Sequence, residues 1–116
     1  MNSKELAYYI AALTLEKKAE DVLILELGEI TTLTDYFVIC SALSDVQAKA
    51  ISDTIVEKTK EQKVKVWHIE GYQSLKWVLL DFVDVVVHIF KPDIREYYGL
   101  EKLWGDANII EVKNEH

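Results

Sequence analysis

Asp81, Asp84 and His88 are the side chains in this chain best suited to proton transfer or metal binding, since carboxylates and imidazole are the usual proton carriers and ligands. Their setting favours a plainer role. The two acids flank a candidate hairpin turn, where Asp is favoured because its carboxylate bonds nearby backbone amides. His88 and His68 each stand among apolar strand residues, without the His/Cys/Asp spacing of a zinc site. Ser41 and Ser44 sit at a strand-to-helix turn, a common place for a nucleophile or a phosphate cradle. The loop SALSD, however, has no glycine to let an anion or a substrate approach the backbone. The single cysteine, Cys40, lies in the apolar run YFVIC and reads as a buried thiol. With no Gly-rich dinucleotide fingerprint either, no catalytic residue, metal ligand or cofactor is expected.

The segment that carries these groups then needs another explanation. Residues 77–90, WVLLDFVDVVVHIF, are strand-like and apolar on both faces. Trp77 and Leu79 share one side while Val78, Leu80 and Phe82 share the other, and after the acids Val85, Val87 and Ile89 oppose Val86, His88 and Phe90. A half-exposed hairpin would alternate apolar with polar. We expect Val78, Leu80, Val85, Val87 and Ile89 in the core and the opposite side facing something other than water.

The remaining elements follow from periodicity and caps. Leu6, Tyr9, Ile10 and Leu13 predict an amphipathic helix over 4–18, with Ser3 as its N-cap. Strands are expected over 21–27 and 36–40. Ser44 and Gln47 have capping-box spacing, and Ala48, Ile51 and Ile55 form the inner stripe of a helix over about 45–62. A strand over 64–69, a loop over 71–74 and a hairpin of 77–82 with 84–90 come next. Pro92 suits the first position of a short helix and Gly99 its end, and a further short turn is expected over 100–104. Residues 1–107 read as one domain and 108–116 as a frayed tail. The fold class is α/β: a single domain with a mixed five-stranded sheet and two main helices. Five strands at ~4.8 Å span roughly 24 Å, which two helices about 10 Å wide nearly cover on one face. The other face then carries an apolar patch that marks an interaction site, unless the short terminal helices fold back over it.

Composition narrows the partners. The 116 residues allow one domain, and 50% hydrophobic residues with one Pro and four Gly describe a globular chain. The net charge of −7 argues against direct nucleic-acid binding as the main contact, because gripping phosphates needs clustered Lys and Arg. The acidity sits toward both ends of the chain and fits a basic protein surface. No apolar run approaches the ~18 residues of a membrane span, so no membrane is expected and a cytoplasmic location is. Tyr97, Tyr98 and Trp104 form an aromatic C-terminal cluster that suits a core or an interface equally.

Taken together, TDYFVICSALSD at 34–45, the helix after it, WVLLDFVDVVVHIF at 77–90 and REYYGLEKLWGDA at 95–107 closely resemble the ribosomal silencing factor family, RsfS, also called Iojap-like proteins, over nearly the whole chain. One departure is Val83, where family members usually carry glycine, which leaves the geometry of that turn open. The resemblance implies a fold similar to the nucleotidyltransferase scaffold without its catalytic role, and the Gly-Ser and paired-acid signature of that superfamily is absent at CSALSD. It further implies binding to the large ribosomal subunit through ribosomal protein L fourteen, with steric exclusion of the small subunit and damped translation. The family's recognition strand falls on Trp77, Leu79 and Asp81, with His88 and Phe90 on the neighbouring strand. Its C-terminal block falls on Tyr98, Glu101 and Lys102, with Leu103 and Trp104 equally suited to packing. Two competing readings are a nucleotide-binding or nucleotidyltransferase-like enzyme using Asp81, Asp84 and His88, and a homodimer formed through the apolar face.

Overall fold

The computed structural model describes residues 1–113. Helix α1 (Ser3–Glu16) leads into β1 (Glu20–Glu26) and β2 (Tyr36–Ser41), followed by α2 (Asp45–Glu61), β3 (His68–Glu70), β4 (Trp77–Asp81) and β5 (Val85–Phe90). The short helices α3 (Pro92–Tyr98) and α4 (Leu100–Leu103) and a last strand, β6 (Asn108–Val112), complete the described chain. The strands lie in the order β3-β4-β5-β2-β1-β6. β2 and β5 run parallel and every other pair antiparallel, so the expected mixed sheet is present. The parallel pair needs a crossover, and α2 with the β3–β4 hairpin supplies it.

α1 starts one residue earlier than Ser3 would place it. Asn2 is the cap: its Oδ1 accepts from Glu5 N at 2.8 Å and Glu5 Oε1 accepts from Asn2 N at 3.0 Å, a full capping box. Ser44 caps α2 by accepting from Gln47 N at 3.1 Å. The Gln47 side chain, however, does not return to Ser44. Its Oε1 accepts from Leu43 N, and its Nε2 donates to the carbonyls of Lys17 and Lys18, clamping the end of α1 to the start of α2.

Both long helices pack on one face of the sheet. Leu6, Ala7, Ile10, Ala11, Ile51 and Ile55 meet Val22, Ile24, Val38, Val78, Leu80, Val85, Val87 and Ile89, all buried, and the five core positions expected in the hairpin are among them. Cys40 lies in this core, where burial pushes its thiol up to about 12 and leaves it protonated and inert.

Two expectations need correction. Residues 108–112 form a strand, not a frayed tail: Ile110 pairs with Ile24 and Val112 with Val22 across β1, and both lean on the core. Local polarity suggested fraying, but the free edge of β1 gives the backbone a ladder. Residues 114–116 of the expected tail lie outside the described residues. The third strand is also later and shorter than 64–69: Lys63 takes φ 63° just past α2, Trp67 N donates to Asp81 O at 2.8 Å, and the ladder with β4 runs over His68–Glu70. The described residues thus hold six strands, not five.

The β4–β5 turn keeps the geometry glycine would give it. Val83 has φ 73°, Asp84 N donates to Phe82 O at 3.0 Å and Phe82 N to Val85 O at 2.8 Å, which is the pattern of a positive-φ γ-turn. Asp81 Oδ1 accepts from Val83 N at 2.7 Å, so this acid performs the turn role assigned to it.

Candidate docking face

Strand alternation puts Trp77, Leu79 and Asp81 on the sheet face opposite α1 and α2, and the β4–β5 register sets Phe90, His88 and Val86 beside them. Phe37, Ile39 and Ser41 of β2 and Leu23 and Leu25 of β1 continue the same face. Half of it is covered. α3 and α4 fold back so that Ile94, Leu100 and Trp104 pack on Leu25, Leu27, Ile39 and Phe90, all four of them buried.

The local sequence explains this return. Pro92 sits at the first turn of α3, and Gly99, at φ 56°, closes α3 and opens α4, a left-handed corner that glycine adopts freely. Arg95 then ties the corner to the sheet: Nη1 donates to Ser41 Oγ at 2.8 Å and Nε to Glu101 Oε1 at 2.5 Å.

Toward β3 the cover runs out. Leu79, Asp81 and Val86 are half-buried, and so is Trp77, whose ring leans on Tyr98 and Phe90 with centroids 4.8 Å away in each case. Tyr98 is 53% exposed and meets Tyr97 edge to face. Lys102 is exposed, whereas Glu101 is held by Arg95. His88 and Phe90 lie beneath this surface and not on it, at 4% and 1% exposure. Phe37 stands edge-on to His88 at 4.5 Å and Trp104 edge-on to Phe37 at 6.0 Å, so aromatic rings run without a break under the face. The sequence could show which side of β5 His88 and Phe90 occupy. Which part of that side α3 covers depends on the contact between Arg95 and Ser41, 54 residues apart.

One residue of the face, Glu70, was missed in the sequence, whereas His68 falls within the expected third strand. The β3–β4 register places His68 beside Asp81 and Glu70 beside Leu79, and His68 Nε2 lies 2.9 Å from Glu70 Oε1. Ending the strand at Ile69 left Glu70 unassigned, between that strand and the loop over 71–74. Alternation through His68, Ile69 and Glu70 was the available signal, since Ile69 faces the helix side with Leu80.

The side chains on this face suit recognition of a surface. Among the described residues His88 has no carboxylate partner to make it a base, and burial pushes its imidazole down to about 3, so it is neutral. Among the described residues no group of three or more His, Cys, Asp or Glu side chains is placed to hold a metal ion. What the face does present is an apolar strip of Trp77, Leu79, Val86 and Tyr98 with Glu70 and Asp81 along its margin.

The chain's relatives are consistent with one another. The model of a family described as ribosomal silencing factor during starvation matches residues 1–116. The ribosomal silencing factor RsfS of Bacillus subtilis is 44% identical over 112 residues, 97% of this chain and 95% of that protein. A protein called mitochondrial assembly of ribosomal large subunit protein 1, from Mus musculus, is 33% identical over 82% of this chain and 43% of its own length. A crystal structure of a Chromobacterium violaceum protein superposes with a TM-score of 0.87 at 31% identity, covering 99% of this chain and 92% of that one.

Proposed function

The chain belongs to the ribosomal silencing factor family, and from that premise we propose that its uncovered sheet face docks on the large ribosomal subunit through ribosomal protein L fourteen and keeps the small subunit from joining. The observation that carries this reading is the half-buried pair Trp77 and Leu79 beside the exposed Tyr98, on the part of the sheet that α3 and α4 leave open. Apolar anchors at the centre of an interface supply most of the affinity, while charges at the rim steer approach and orientation. Here the rim is acidic, through Glu70 and Asp81, and the whole chain carries −7, which suits a basic ribosomal protein and repels bare phosphate.

Silencing then needs no covalent step. A folded body of this size seated on the joining surface occupies the space the small subunit requires, and translation falls with the fraction of large subunits occupied. The protein acts in the cytoplasm as a regulator and not as an enzyme. Mouse mitochondrial assembly of ribosomal large subunit protein 1, which names the large subunit directly, supports the choice of subunit.

Subunit joining followed by light scattering tests this. The protein added in excess over large subunits should suppress joining, and Trp77→Ala and Leu79→Asp should each restore it. Joining that proceeds unchanged in the presence of the unaltered chain refutes the proposal.

A further inference from the structure

Trp77 and His88 sit diagonally on β4 and β5. The register pairs Trp77 with Phe90 and Leu79 with His88, so the indole lies beside the imidazole, and its Nε1–H donates to His88 Nδ1 at 3.1 Å. That bond fixes the chemistry of the ring. An Nδ1 that accepts carries no proton, so the neutral imidazole bears its proton on Nε2. The other tautomer would set N–H against N–H among the rings of Phe37, Phe90 and Trp77. Nε2 is itself buried without a hydrogen-bond partner among the described residues. An orphaned buried donor is a cost that Phe or Leu would not carry in the same space. What histidine offers here, and an apolar residue cannot, is the accepting nitrogen.

We infer that His88 is a positioning residue: its Nδ1 holds the Trp77 indole in one orientation before docking and takes up the indole N–H, so that the partner must offer Trp77 an apolar pocket with no hydrogen-bond acceptor. This rests on the reading of the Trp77 face as the docking surface. An anchor already fixed in its bound orientation loses little conformational freedom on binding, and the affinity gains accordingly. A pocket that presented an acceptor to the indole would leave that acceptor desolvated and unpaired, because the N–H is already used; this selects against polar partners.

Nitrogen NMR of the whole protein and binding to purified large subunits test the inference together. At neutral pH, His88 should show a protonated Nε2 and a bare Nδ1. The Trp77 indole N–H, assigned with Trp77→Phe, should lie at low field. His88→Phe should abolish that displacement and weaken binding about tenfold, less than removing the anchor itself does. His88→Asn, whose side-chain oxygen can accept near the same place, should recover most of both. A proton on Nδ1, or a folded His88→Phe variant that binds like the unaltered chain, overturns the inference. Trp77→Ala separates the two levels: if it loses binding while His88→Phe does not, positioning alone fails, and if it binds normally, the docking reading fails and takes this inference with it. Should His88→Phe not fold, the tautomer found in the unaltered protein still decides.

Discussion

Arg95 and Glu101, on either side of the Gly99 corner, are joined at 2.5 Å with both side chains largely buried, and the same guanidinium reaches Ser41 on β2. The pair fixes where the sheet's second face is covered and where it is open. Removing Glu101 leaves a buried cation with one hydroxyl for company, so Glu101→Ala should destabilise the fold by about 2 kcal/mol in urea unfolding. Arg95→Lys should lose nearly as much, because an ammonium cannot reproduce the two-way fork.

Val83→Gly should stabilise the protein. Val83 is β-branched, sits at φ 73° and is 55% exposed, so it bears left-handed strain while burying little. Relief of that strain, less the extra freedom of glycine in the unfolded chain, should come to about 1 kcal/mol. A higher urea midpoint with an unchanged slope is the expected result.

Acid should weaken the fold through His88. Burial holds its imidazole down at about 3, against an ordinary value of 6.5. Between these values the unfolded chain binds a proton and the folded chain does not, so this contribution to stability is fully present above pH 6.5 and is lost as pH falls toward 3. At pH 5 the loss is roughly 2 kcal/mol relative to neutral pH. His88→Phe should unfold with that much less dependence on pH between 7 and 5, whatever the other groups contribute.

How much of this was legible in the sequence differs from element to element. The two apolar sides of residues 77–90, the cap at Ser44 and the corner at Gly99 could all be read, because each is a local pattern with a local cause. The recognition strand and its aromatic neighbour Tyr98 were named by resemblance and fall on one surface. Strand β6 could not be read, since Asn108–Val112 becomes a strand only when β1 offers it an edge, whereas Glu70 was readable from the alternation through His68 and Ile69 and was passed over. The burial of His88 and Phe90 could not be read either, since it depends on how the C-terminal helices land. Alternation tells which residues share a face. It does not tell which of them will be covered.

Glu70 carries the prediction that follows from the β3 register. It is exposed and, among the described residues, its side chain bonds only to His68, so charge reversal should not disturb the fold. Glu70→Lys should slow association with large subunits by roughly three- to tenfold at low salt and flatten its dependence on ionic strength, leaving dissociation nearly unchanged. Glu57→Lys, on exposed α2 across the sheet, should change the rate much less.

The central claim is that Trp77 anchors the protein on the large subunit, and the affinity of labelled protein for purified large subunits tests it most directly. Truncating a central aromatic anchor costs roughly 2 kcal/mol or more, about thirtyfold in Kd. Trp77→Ala, with its fold verified by circular dichroism, should bind at least that much more weakly than the unaltered chain, and Leu79→Asp should show a loss of the same order. A folded Trp77→Ala that binds large subunits with unchanged affinity would contradict the account.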